Sequence, residues 1–203
     1  MAILFDDKYI FYHICKTGGT SVVSFIYDLT KNHRKLFRDL NHIPSCGYAQ
    51  KSAVLAKNHC GPLDIKDHDG KTSFVTIRHP IGWYESVYKR GLEGRQFFVN
   101  NYKIAETFDQ FVTSVLRLHP YGFVTSMYSR YFPFVDYVVK LEQIDHELPQ
   151  LFKIFGYKDL PPVPKKNVSP IKKYDLTLDQ KTRQNLIDIE WPIIDRFYHG
   201  ANR

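Results

Sequence analysis

The chain has 203 residues, 28 Lys and Arg against 21 Asp and Glu for a net charge of +7, and 43% apolar residues. That length suits one domain, 1–203, with ample chain for a core, and the apolar share excludes a disordered chain. No run approaches the ~20 apolar residues of a membrane helix, and no charged-then-apolar leader opens the chain, so a protein without a membrane span is expected.

In chain order, Tyr9-Ile10-Phe11-Tyr12-His13-Ile14-Cys15 is short, β-branched and aromatic, which predicts a buried strand. Lys16-Thr17-Gly18-Gly19-Thr20-Ser21 follows as a loop, and Val22, Val23, Phe25, Ile26 and Leu29 then recur at helical spacing. Strand, glycine-bearing loop and helix is an arrangement that holds phosphate. Glycines allow close backbone approach, and the first N–H groups of the helix face the anion. Lys16 adds a full charge, and Thr20 and Ser21 add hydroxyl donors. Lysine stands before the glycines, the reverse of a Walker A loop, which points away from ATP towards another phosphorylated donor.

Ser52 to Asn58 contains a short strand, Val54-Leu55-Ala56, and Lys57 and His59 follow two residues apart, so they share a face if the strand continues. Thr72-Ser73-Phe74-Val75-Thr76-Ile77 predicts another buried strand, ending at Arg78-His79-Pro80. Pro80 favours a helix start and predicts a helix over roughly Gly82–Gly91, with Ser86 on its second turn. Arg78 can chelate a phosphate with its planar fork while Ser86 donates from the helix. Two phosphate sites at neighbouring strand ends suit a nucleotide phosphorylated at both its 5′ and 3′ positions.

Residues 91–103 form a glycine-bearing, polar and aromatic loop whose role as a lid over an acceptor the sequence leaves open. Helices are predicted over Glu106–Leu118 and Ile144–Phe155, the second ending at Gly156. Leu160-Pro161-Pro162-Val163-Pro164 is a stiff extended connector. Thr177-Leu178-Asp179-Gln180 reads as a capping box opening a helix to about Ile189. Alternating strands and helices predict a three-layer α/β/α domain with a mainly parallel central sheet, ligands binding at the carboxyl ends of the strands.

Lys16 to Ser21 together with Arg78-His79-Pro80 and Ser86 resembles the two donor-binding motifs of sulfotransferases, closer in wording to the carbohydrate branch. The resemblance implies a P-loop-like fold and a co-substrate, 3′-phosphoadenosine 5′-phosphosulfate (PAPS), with 3′-phosphoadenosine 5′-phosphate (PAP) as product. It implies that Lys16, Thr17, Gly18, Gly19, Thr20 and Ser21 hold the 5′-phosphosulfate, and that Arg78 and Ser86 hold the 3′-phosphate. Lys165-Lys166-Asn167-Val168-Ser169 resembles the family's late basic segment, adding Lys166, Asn167 and Ser169 to the nucleotide contacts. Tyr137 to Glu142 resembles a later core strand. Lys57-Asn58-His59 resembles the Lys-Thr-His of the cytosolic branch in its first and third residues, which makes His59 the catalytic base with Lys57 beside it. His13 and His79 remain alternatives for that base.

Sulfuryl transfer to an alcohol is an in-line displacement. A base removes the hydroxyl proton, and a cation, here Lys16, steadies the charge growing on the departing phosphate. No metal is required by that chemistry. His42, Cys46, His59 and Cys60 can be drawn as a zinc set, but their spacing matches no common module. The odd count of cysteines, Cys15, Cys46 and Cys60, suits a reducing compartment, and a cytoplasmic location is expected. The positive charge serves the donor's phosphates, and its surplus either attracts an acidic acceptor or is a solvated surface. Trp83 and Tyr84 either stack a sugar or a base or belong to packing. The expected function is transfer of sulfuryl from PAPS to a hydroxyl acceptor, a carbohydrate. The rival readings are a P-loop-type kinase and a non-catalytic binder of nucleotide or anionic glycan. No motif that reads nucleic acid is present.

Overall fold

The computed structural model describes residues 2–30, 37–39, 62, 70–92, 105–166 and 174–199. The protein is an α/β protein whose residues gather into two compact units, Met1–Arg78 with Arg130–Ser169, and His79–Ser129 with Pro170–Arg203.

The first unit carries a five-stranded sheet in the order β3-β1-β2-β4-β5, formed by β1 (Ala2–Phe5), β2 (Tyr9–Tyr12), β3 (Phe37–Asp39), β4 (Thr72–Ile77) and β5 (Tyr137–Lys140). β2, β4 and β5 pair in parallel, while β1 is antiparallel to both β2 and β3. Four strands therefore share one direction and β1 alone is reversed. It is reversed because Asp6 and Asp7 both take the left-handed conformation, φ 52° and 51°, which turns β1 back into β2 as a tight hairpin. The Tyr157 hydroxyl donates to the Asp6 carboxylate and secures that hairpin.

Two helices of this unit, α1 (Gly19–Thr30) and α5 (Ile144–Ile154), supply one core with the sheet. α1 is a poor helix by propensity, opening on Gly19-Thr20-Ser21-Val22-Val23, so burial of Val22, Phe25 and Ile26 at 0% exposure must hold it. In α5, Pro149 removes one backbone rung. Leu148, Leu151 and Phe152 still anchor the helix, and Gly156 at φ 94° ends it. Phe152 lies at the centre of the core, stacked on Phe5 at 5.6 Å and edge-on to Phe25 at 5.1 Å and Phe74 at 5.9 Å. A side chain so placed is worth about 3–5 kcal/mol against alanine. Ser73 N–H and the Asp136 carboxylate meet at 2.7 Å, and Asp136 N–H returns to Ser73 C=O at 3.0 Å, which sets β5 in register beside β4.

The second unit contains α2 (Pro80–Leu92), α3 (Phe108–Leu118), α4 (Phe123–Ser129), α6 (Gln180–Ile189) and α7 (Trp191–Tyr198). Its centre is Glu190, fully buried between α6 and α7. The carboxylate accepts from Tyr84 OH at 2.8 Å, Val124 N–H at 3.0 Å, and both Thr125 N–H and Oγ1 at 2.7 Å. It satisfies the first amides of α4 as a capping side chain does, but from another helix. Gly122 leaves the room: a Cβ there would lie 2.7 Å from the Glu190 carboxylate. Trp83 and Tyr84 are 1% and 0% exposed, so both belong to packing within this unit.

Several expected boundaries shift. The strand from Tyr9 ends at Tyr12 instead of Cys15, because Cys15 to Gly18 turns into the loop. The helix expected over Gly82–Gly91 begins at Pro80 and runs to Leu92, Pro80 occupying the first helical position, where no N–H is needed. Thr177 does not cap α6. Asp179 does, accepting from Thr182 N–H at 2.7 Å, while Thr177 is held by the Asp175 carboxylate at 2.6 Å. β1, β3, α4 and α7 were not anticipated. The strand Val54-Leu55-Ala56 lies outside the described residues. Among the described residues no helix is long and apolar enough to cross a membrane.

Candidate functional site

β2 delivers the chain to the carboxyl edge of the parallel strands, and the loop that follows turns because two residues adopt positive φ. Gly18 does so at 82° without penalty. Lys16 does so at 67°, where an L-residue pays on the order of 1 kcal/mol, so the surroundings must hold it. Thr17 is the pin. Its side chain is fully buried; the hydroxyl lies 2.9 Å from the Ile14 carbonyl, to which it donates, and 3.0 Å from Thr76 Oγ1 on β4.

The two glycines are set by space as well as by conformation. A Cβ on Gly18 would meet Leu141 Cδ1 at 2.4 Å, just past β5. A Cβ on Gly19 would meet the His13 ring at 1.8 Å. Thr17 against β4 and Gly18 against the residue after β5 mean that the loop crosses the end of β4. Arg78, half-buried, is the first residue beyond β4, so it leaves the sheet where the loop crosses.

α1 opens at Gly19 with no acidic residue in its first turn. Ser21 and Val22 N–H turn back to the Gly18 carbonyl at 2.9 and 3.4 Å. A helix start concentrates partial positive charge from amides that lack a partner one turn earlier. Thr20 is exposed and Ser21 is 8% exposed. The Lys166 N–H donates to Ser21 Oγ at 3.1 Å, so the Lys166 backbone lies at the start of α1.

Two further lysines, Lys140 and Lys165, face carboxylates. Lys140 Nζ lies 3.1 Å from the Glu147 carboxylate, which also accepts the Lys140 N–H at 2.6 Å. Lys165 faces Asp145 at 3.6 Å with both side chains largely exposed, a pair of little energetic weight. Burial pushes the Cys15 thiol up to about 12, against a smaller opposing effect of Lys16. Burial also pushes the Tyr12 phenol up to about 12, with the Asp136 carboxylate adding to it, and among the described residues its hydroxyl has no hydrogen-bond partner.

Lys16, Thr17, Gly18, Gly19, Thr20, Ser21, Arg78 and Lys166 thus all belong to the first unit. Ser86 stands half-buried on α2 in the second. Lys57, His59, Asn167 and Ser169 lie outside the described residues, as do His42, Cys46 and Cys60. Among the described residues no three His, Cys, Asp or Glu side chains gather as a metal set. Thr76, Leu141 and His13 shape the loop and were not singled out for that role from the sequence. The one local signal was Thr76, a polar residue within an otherwise apolar stretch of strand, Phe74 to Ile77. Compared with known proteins, the chain matches no protein-family model, no curated protein and no solved structure.

Proposed function

We propose that this protein is a PAPS-dependent sulfotransferase of three-layer α/β/α fold that sulfates a hydroxyl, on a carbohydrate acceptor. The observation that carries the reading is the loop Lys16–Ser21, pinned over the carboxyl end of β4 with α1 opening behind it and Arg78 emerging beside it. Open α/β sheets bind their ligands at that edge, and a helix start with glycines before it is an anion site. In this reading the loop amides, Thr20 and Ser21 hold the 5′-phosphosulfate. Thr17 contributes through its main chain, since its hydroxyl is engaged with Ile14 and Thr76.

Lys16 steadies the charge left on the departing phosphate, and Arg78 takes the 3′-phosphate with its fork. The motif adds Ser86 to Arg78, and Asn167 and Ser169 to Lys166. His59, with Lys57 beside it, accepts the acceptor's hydroxyl proton as the new sulfur–oxygen bond forms and the bond to the phosphate breaks, releasing PAP. A cytoplasmic setting rests on the odd number of cysteines, three.

Calorimetry with PAP, PAPS, AMP and ATP in EDTA tests the donor assignment. Micromolar or tighter binding that depends on the 3′-phosphate is expected. Equal affinity for PAP and AMP would remove the 3′-phosphate site, and ATP turnover needing Mg²⁺ would favour the kinase instead. PAP binding without any transfer would leave a non-catalytic binder. His59→Ala is expected to abolish transfer while PAP affinity stays within about twofold; unchanged turnover would return the base to His13 or His79.

A further inference from the structure

Ser21 is 8% exposed and its oxygen accepts the Lys166 N–H at 3.1 Å. A hydroxyl carries one proton and two lone pairs, so this bond leaves the proton to be donated. Among the described residues no acceptor takes it. A buried donor without an acceptor is unfavourable, and a hydroxyl that already accepts a bond is polarised into a better donor. It stands in the first turn of α1, where the helix field favours an anion.

On its other side, segment 157–166 is held by Leu160 and Val163 against the sheet core. Beyond Val163, among the described residues, Lys165 faces Asp145 in a solvent-exposed pair and the Lys166 N–H bonds to Ser21.

We propose that Ser21 is a positioning residue: an anion held by loop 16–21 accepts its proton, strengthens the Lys166–Ser21 bond, and so fixes the Lys166 backbone beside the start of α1. The inference rests on the loop being the donor site and deepens that reading. Phosphate, Ser21 Oγ and Lys166 N–H then form one hydrogen-bonded chain.

The test combines amide exchange at Lys166, followed by NMR, with PAP affinity by calorimetry. In the native protein PAP is expected to slow Lys166 exchange about tenfold or more. In Ser21→Ala, PAP should still bind, with Kd raised about three- to tenfold, but slow that exchange less than about twofold; Ser21→Thr should restore both. Lys166→Pro, compared with Lys166→Ala, deletes the N–H without touching the loop and should raise Kd about threefold or more. Combined with Ser21→Ala it should add little, because both changes remove the same bond. Equal slowing in Ser21→Ala, or strictly additive losses, would overturn the coupling while leaving the donor site standing. Failure of the native protein to bind PAP would overturn the donor site itself. Should Ser21→Ala not fold, the Lys166→Pro comparison decides, and unchanged affinity there would overturn the coupling.

Discussion

The Thr17 and Thr76 hydroxyls meet at 3.0 Å in the interior, tying the candidate donor loop to the central strand of the parallel set. Both side chains are fully buried, so neither hydroxyl has water as an alternative. The contact fixes the loop's height over β4 and hence the direction in which α1 starts.

Thr17→Val should therefore cost about 1–3 kcal/mol, since it strands the Thr76 hydroxyl and the Ile14 carbonyl, whereas Thr76→Val should cost about 1 kcal/mol. The double variant should cost less than the sum of the two. Urea unfolding midpoints at constant m check all three. Additive losses would mean that the two hydroxyls do not act as a pair.

Gly19 is required by space, because its absent Cβ is where the His13 ring packs. Gly19→Ala should destabilise by about 1–3 kcal/mol, and His13→Ala introduced beside it should recover part of the loss by vacating that volume. Thermal unfolding of the four proteins decides it. A His13→Ala change that worsens Gly19→Ala would place the His13 ring elsewhere.

Arg78 and Lys16 should separate by chemistry. Arg78→Lys keeps the charge but loses the fork, so PAP affinity should fall about tenfold while AMP affinity changes little. Lys16→Ala should weaken PAP and AMP alike, because both carry the 5′-phosphate. Titration of each variant with both nucleotides is the measurement, and a loss confined to AMP in Arg78→Lys would reverse the mapping.

Alkaline pH should loosen the first unit. Burial raises the Cys15 thiol from 9.0 to about 12 and the Tyr12 phenol from 10.0 to about 12. Below pH 9 the thiol is protonated folded and unfolded, and its contribution is complete. As pH rises through that window the unfolded chain releases its proton first, so stability falls by up to about 1.4 kcal/mol per pH unit for the thiol until the folded thiol ionises near 12. Urea unfolding at pH 8 and pH 10.5 should show the loss, and Cys15→Ala should reduce it. An unchanged pH dependence in Cys15→Ala would mean that the thiol ionises freely in the fold.

Local pattern made much of the fold legible. The 3.6-residue spacing of Phe108, Phe111, Val112, Val115 and Leu116 marked α3, and Thr107 caps it within two residues of the expected start. α4 and α7 escaped because they are short, seven and eight residues, and their apolar positions are too few to set a period. β1 escaped because Ala2 to Phe5 is an unbroken apolar run with no alternation, the form a strand takes when its side chains are buried on both faces. A Thr and a Gln three residues apart predict a cap at Thr177, but the Asp175 carboxylate competes for it and Asp179 is left to cap α6.

The strand, glycine loop and helix around Lys16 and the strand leading to Arg78 were legible from local pattern alone. Those features depend on residues adjacent along the chain, where periodicity and glycine tolerance act directly. What the loop rests on depends on long-range packing. Thr17 meets Thr76 across 59 residues, and Ser21 meets Lys166 across 145. Contacts that distant depend on strand order and register, which arise from packing the whole sheet against α1 and α5, and no local pattern encodes them.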